Sequence, residues 1–159
     1  MNIKRLLSVI TVHLIGVSLL LTACAPAAQN SQAKLLGSWS ADITTPDQGT
    51  FPALLTFSAD GSVIADESPS QFESSGHGSW NRDNSGDVAY TFVALYGSSE
   101  GKNAGKLKVI GRLNSDAGKD GWSGPFKIDV FDANGQVIFT DNGTLRLTRI
   151  AVEQISQTE

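Results

Sequence analysis

The sequence is poor in the residues that build disulfides and transition-metal sites. Its 159 residues include one cysteine, Cys24, and two histidines, His13 and His77. A single cysteine cannot form an intramolecular disulfide, and zinc and similar metals usually take several His or Cys ligands. We therefore expect no disulfide, no metal site and no cofactor.

Long hydrophobic runs are also scarce, and the one that stands out lies near the N-terminus. Leu6 to Leu21 is almost wholly apolar, preceded by Lys4 and Arg5 and followed by the small residues Thr22 and Ala23. The run is shorter than the about 20 residues that cross a bilayer. A charged start, an apolar run and small residues in this order predict a secretory signal peptide, residues 1–23.

The cysteine follows that segment directly. Leu21-Thr22-Ala23-Cys24 resembles the lipobox of bacterial lipoproteins. The resemblance implies cleavage before Cys24, acylation of its thiol and new amine, and a lipid bilayer as partner. Two or more acyl chains make such anchoring durable. The alternative is an ordinary signal peptide that leaves a free thiol.

The same resemblance indicates a location in the cell envelope, outside the cytoplasm. An aspartate after the cysteine retains many Gram-negative lipoproteins at the inner membrane, and here that position is Ala25. In a Gram-negative organism this favours the outer membrane. Residues 24–33 are small and polar, which predicts a lipidated flexible tether.

Positive charge is scarce once the signal segment is removed. Ten Lys and Arg then remain against sixteen Asp and Glu, a formal charge of −6. Nucleic acids require basic patches, and anionic membranes attract them, so we expect neither nucleic acid nor an anionic lipid surface as partner. The sequence identifies no protein partner.

Helical periodicity is nearly absent after residue 33, except for a weak candidate at 151–156. β-branched and aromatic runs alternate with turn residues about every ten positions, which predicts a sandwich or barrel. Short links predict antiparallel pairing of sequential strands. The predicted strands are Gly37–Thr45, Phe51–Ser58, Ser62–Asp66, Gly76–Arg82, Val88–Tyr96, Gly105–Asn114, Gly121–Phe131 and Gln136–Ile150. Within the last strand, Asp141-Asn142-Gly143 predicts either a further turn or a bulge.

Closing this meander removes its exposed edges, so we expect an all-β, eight-stranded antiparallel up-and-down barrel over residues 34–150, followed by a tail at 151–159. Alternation places Leu107, Val109 and Leu113 on the inner face of one strand, and Trp122 to Val130 alternates likewise. A barrel of eight strands is filled by side chains or holds one small ligand.

Two short patterns add a resemblance to the lipocalins and the wider calycin group. Gly37-Ser38-Trp39 lies on the first strand, and Arg146 and Arg149 lie near the end of the last. In that group a Gly-x-Trp places its indole at the closed end of the barrel, under a basic residue from the end of the fold. Trp39 is then the indole, and Arg146 or Arg149 the cation above it.

The resemblance and the barrel together favour a binding protein. Its lumen would take a small hydrophobic ligand against aromatic side chains, namely Tyr90, Phe92, Trp122 and Phe126. The same aromatics fill an ordinary core equally well, so a filled barrel that serves the envelope as a structural or protein-interaction module is the alternative. Val93 and Leu95 would then belong to an outer apolar patch.

A calycin-type isomerase or cyclase is the second alternative. Its candidate base is His77, its candidate acid Tyr90 or Tyr96, and the orienting carboxylate one of Asp66, Glu67 and Glu73. The link at residues 67–76 would form a loop at the mouth. No nucleophile elbow, phosphate-binding glycine loop or paired-carboxylate motif is visible, which favours a protein without catalytic activity.

Overall fold

In the computed structural model, residues 34–68, 73–116 and 120–155 are described. Eight β-strands account for most of them. The strands are β1 Gly37–Thr45, β2 Gly49–Phe57, β3 Ser62–Glu67, β4 Gly76–Arg82, β5 Val88–Gly97, β6 Asn103–Ser115, β7 Gly121–Asp132 and β8 Val137–Arg149. Each predicted strand corresponds to an observed one, with both ends within two residues.

The eight strands form a closed barrel in sequence order, and each is antiparallel to both of its neighbours. β8 pairs with β1 to close it, with Trp39 opposite Arg149 and Ile43 opposite Leu145. Closure leaves no unpaired edge strand, which is the physical reason to expect it for a meander with one apolar face. The predicted all-β, eight-stranded antiparallel up-and-down barrel is confirmed.

Turn chemistry sets several of the hairpins. Gly86 and Gly135 have φ angles of 91° and 82°, in the left-handed region that glycine occupies without a steric penalty. In the β7–β8 turn, the Asp132 carboxylate accepts hydrogen bonds from the backbone N–H groups of Asn134 and Gln136, at 2.9 and 2.8 Å. The Asp83 carboxylate accepts equivalent bonds in the β4–β5 turn. Local side chains thus determine where these strands reverse.

The predicted turn or bulge at Asp141-Asn142-Gly143 is wrong. β8 runs through these residues, and its register with β7 is unbroken from Thr148 to Phe139. The irregularity in this pair lies instead between Val130 and Phe131. Gly143 permits close packing, because a Cβ at this position would lie 2.4 Å from the Thr44 carbonyl oxygen and 2.6 Å from the Phe126 ring.

The chain after β8 is not helical where it is described. Residues 151–155 have no regular secondary structure and are exposed. The predicted helix at 151–156 is therefore wrong for these five residues, and Ser156 lies outside the described residues. The signal segment and tether, including Cys24, also lie outside them.

The most deeply buried side chains gather at one end of the barrel, outside the lining of the lumen described below. The largest side chains with less than 2% exposure are Trp39, Phe57, Leu35, Leu113, Leu147, Val63 and Val88. Phe57 meets Trp80 and Tyr90 edge-on, with ring centroids 5.9 and 6.4 Å apart. This end is a conventional packed core, and the remaining internal space lies in the other half.

Candidate functional site: the open half of the barrel

Trp39 and Arg149 close the filled end of the barrel. The Trp39 indole donates a hydrogen bond to the Leu35 carbonyl at 2.8 Å, and the Arg149 guanidinium lies 4.1 Å from the centre of the ring. Arg149 also donates to the carbonyls of Leu36, at 3.0 Å, and Lys34. Arg149 is thus the cation over Trp39. Arg146, the other candidate, is exposed on the outer face of β8.

Trp122 also belongs to the filled end. It is 2% exposed, and the Arg82 guanidinium lies 5.1 Å from the centre of its ring. Trp122 is not among the residues that line the lumen of the open half. Of the four aromatic residues predicted to line a ligand site, it is the one that the fold places elsewhere.

The open half of the barrel contains a lumen of about 270 Å³. This is close to the lower end of the ~300–1,000 Å³ range of small-molecule pockets. Its apolar lining residues are Ile43, Phe51, Ala53, Leu55, Ala65, Tyr90, Phe92, Leu107, Val109, Phe126, Ile128, Val130, Phe139 and Leu145. Its polar lining residues are Thr45, Gln48, Asp66, Glu67, Glu73 and Asp141.

Three of the predicted aromatics form part of this wall. Tyr90 and Phe92 follow each other on the inner face of β5, with centroids 6.2 Å apart and planes at 12°. Phe126 faces them from β7. Gly111 on β6 makes room for Tyr90, because a Cβ there would lie 2.2 Å from the phenol Cζ and oxygen. The wall offers flat apolar surfaces to a ring or chain.

The Tyr90 hydroxyl is the one polar atom of this aromatic wall. Tyr90 is 3% exposed, and burial raises the pKa of its hydroxyl, which therefore stays protonated at physiological pH. Within the described part of the chain, no group forms a hydrogen bond with this hydroxyl. The hydroxyl is not fully enclosed by protein, so water or a ligand in the lumen can accept its hydrogen bond.

Two glutamates on the lining form a carboxyl pair. Glu67 ends β3, and Glu73 follows in the β3–β4 link, bridged to Tyr96 of β5. Burial raises the pKa of both carboxyls, and at Glu73 the charge of Glu67 and their mutual hydrogen bond raise it further, to about 7. Two close carboxylates resist joint ionisation, so the pair retains a proton near neutral pH.

Of the remaining candidates for catalysis, Asp66 lies at the lining of the lumen, whereas His77 and Tyr96 do not belong to it. His77 is exposed on the outer face of β4, between Ile64 and Val93 of the adjacent strands. The Tyr96 hydroxyl donates to the Phe131 carbonyl at 3.0 Å, and Asp66 accepts from the Ser75 hydroxyl at 2.6 Å. The barrel wall therefore separates the predicted base His77 from the lumen, which Tyr90, Glu67 and Glu73 line.

Sequence reasoning named Glu67 and Glu73 only as partners of His77 and missed that they pair with each other. One signal was available for Glu67, because Val63, Ala65 and Glu67 alternate on the inner face of β3. Within the described ranges, no three His, Cys, Asp or Glu side chains are grouped so that they could hold a metal ion. No helix in these ranges is long and apolar enough to span a bilayer.

Comparisons with known proteins add little to this geometry. No protein-family model and no curated protein matches the chain. Among solved structures, a redesigned β-barrel is similar to it over 76% of this chain and 96% of its own, with 14% identity and a TM-score of 0.29. The fold is established by the strand pairing itself.

Proposed function

We propose that this protein is a lipid-anchored binding protein that holds one small, largely apolar molecule in the open half of its barrel. The observation that carries the proposal is the lumen of about 270 Å³, which is lined mainly by apolar side chains. The opposite end of the barrel is occupied by the packed core. Small-molecule sites have this character, an apolar concave wall with a few polar groups.

The division of the barrel also argues against the filled-barrel alternative. One half is packed around Trp39 and Phe57, whereas the other half keeps its space although large side chains surround it. Alanine at positions 53 and 65 holds inner positions where larger residues would fill the lumen. Space of this kind costs packing energy, which a ligand restores when it binds.

The site can be tested by filling it. Ala53 lines the lumen and is 6% exposed, whereas its neighbour Leu54 is 52% exposed on the outer face. We expect the full chain in phosphatidylcholine nanodiscs to bind 1-naphthalenemethanol in isothermal titration calorimetry. Ala53→Phe should weaken binding at least tenfold, and Leu54→Phe should leave it unchanged.

Near-UV circular dichroism checks that both variants fold. Ala65→Leu is a further variant, because it fills the same lumen with a side chain smaller than phenylalanine. Loss of binding in a folded Ala53→Phe or Ala65→Leu variant supports the proposal. Equal binding by the wild type and both filled variants would contradict it, as would the absence of any binding by the wild type.

The anchor is proposed from the lipobox pattern alone. If Cys24 is acylated, the mature protein purified from bacterial membranes begins at Cys24 and carries the mass of the acyl chains. Cys24→Ser should abolish both that mass and the cleavage before residue 24, whereas Ser31→Ala in the predicted tether should change neither. An unmodified Cys24 in the membrane-derived protein would refute the anchor without affecting the lumen.

A further inference from the structure

The charge of the lumen has one sign. Four acidic residues belong to its lining, Asp66, Glu67, Glu73 and Asp141. Among the described residues that line the lumen, none is Lys, Arg or His. Acidic groups at an apolar cavity without a compensating base cost desolvation energy, so a counter-charge from outside would stabilise them.

Strand alternation, rather than chance exposure, directs two of these carboxyls inward. Glu67 occupies the inner face of β3 after Val63 and Ala65, and Asp141 lies on β8 opposite the inward-facing Ile128. The barrel therefore holds them toward the lumen through its backbone register.

An independent observation lies deeper, at the aromatic wall. Tyr90 is 97% buried, lines the lumen and has no hydrogen-bond partner for its hydroxyl among the described residues. Its phenol oxygen lies over the inner face of Gly111. A donor on the lining without a protein partner indicates a partner inside the lumen, either water or part of the occupant.

We propose that the occupant is a small apolar molecule that carries a protonated amine, with the ammonium group held between Glu67 and Glu73. The inference rests on the proposed function, because it assumes that the lumen is the binding site. A charge-assisted hydrogen bond to a carboxylate is about twice as strong as a neutral one, so the amine gains more than an alcohol of equal shape. An anion would be repelled.

Binding of the amine should displace the proton that the carboxyl pair shares. The other acidic residues on the lining are Asp66, which accepts a hydrogen bond from Ser75, and Asp141. Tyr96 lies opposite Glu73 through a backbone bridge, and its hydroxyl donates to the Phe131 carbonyl. Calorimetric titrations near pH 7, repeated in buffers of different ionisation enthalpy, should therefore show that the protein releases up to about one proton for each amine molecule bound. Binding of a neutral alcohol should release none.

Three probes of one shape separate this inference from the proposed function. They are 1-naphthylmethylamine, 1-naphthalenemethanol and 1-naphthoate, titrated by calorimetry into the full chain in phosphatidylcholine nanodiscs. The wild type should bind the amine about tenfold more tightly than the alcohol, and the alcohol more tightly than the carboxylate.

The double variant Glu67→Gln/Glu73→Gln should lose the preference for the amine and keep its affinity for the alcohol. The control Glu100→Gln/Glu153→Gln removes two exposed carboxylates from outside the lumen and should keep the preference. Equal affinity of the wild type for amine and alcohol would overturn the inference alone. So would an unchanged preference in the Glu67→Gln/Glu73→Gln variant. No binding of any probe would overturn the proposed function as well.

Discussion

Removal of the Arg149 side chain should loosen the filled end of the barrel. The guanidinium, 28% exposed, lies over Trp39, donates to the carbonyls of Leu36 and Lys34, and pairs with Asp120 at 2.6 Å. The cation–π contact contributes about 1 kcal/mol. The half-exposed ion pair contributes under ~1 kcal/mol. The two hydrogen bonds from a charged donor contribute about 1–2 kcal/mol together, since water can replace part of them.

We therefore expect Arg149→Ala to lower the free energy of unfolding by about 3 kcal/mol. Arg149→Lys keeps the charge but loses the planar guanidinium with its several N–H donors, so it should lower the free energy of unfolding by about half as much. Arg146→Ala is the matched control, because that side chain is exposed on the same strand. Urea unfolding followed by tryptophan fluorescence measures all three. A loss below ~0.5 kcal/mol for Arg149→Ala, or an equal loss for Arg146→Ala, would refute the reasoning.

Three further changes test other parts of the structure. Burial and the charge of Glu67 raise the pKa of Glu73 from about 4.5 in the unfolded chain to about 7 in the folded protein. The protonated carboxyl therefore stabilises the fold below the unfolded pKa, and this stabilisation is lost as pH rises through the folded pKa. Glu73→Gln should thus be more stable than the wild type by about 1 kcal/mol near pH 8, after discounting for partial exposure, and by less near pH 5 in urea unfolding. Gly111→Ala should cost about 2 kcal/mol in the same assay, because its Cβ would overlap the Tyr90 ring. His77 lies on the outer face, so His77→Ala should change the free energy of unfolding by less than ~0.5 kcal/mol. It should also leave the binding of 1-naphthalenemethanol in calorimetry unchanged. An equal effect of Glu73→Gln at both pH values, a neutral Gly111→Ala or loss of binding in His77→Ala would contradict the respective argument.

The barrel could be predicted because its determinants are local. Each strand alternates apolar and polar residues, and glycines such as Gly86 and Gly135 mark the reversals with a backbone conformation that other residues rarely adopt. Short links then leave antiparallel pairing of neighbours as the simplest topology.

Local signals fail where tertiary packing decides. Asn142 and Gly143 read as a turn, yet the structure shows a continuous strand in which a side chain at position 143 would overlap the Thr44 carbonyl and the Phe126 ring. Alternation correctly placed Trp122 on the inner face. It could not give the position of Trp122 along the barrel axis, because that position depends on the register of all eight strands. It therefore lies in the filled end.

The carboxyl pair shows the same limit at the candidate site. The inner position of Glu67 follows from alternation on β3, but Glu73 lies in an irregular link. Their proximity arises because β4 returns antiparallel to β3 and the link is bridged to Tyr96 of β5. Pairing of this kind depends on chain reversal and has no signature in residue spacing.

The most direct test of the account is to locate a neutral ligand in the folded protein. Intermolecular nuclear Overhauser effects between 1-naphthalenemethanol and the side chains of the full chain in phosphatidylcholine nanodiscs would do so. The lumen predicts contacts from the naphthalene protons to Phe92 and Phe126, and none to Trp39 at the filled end. Contacts confined to outer-face residues such as Leu95 and Ile110 would contradict the claim that the barrel interior is the binding site.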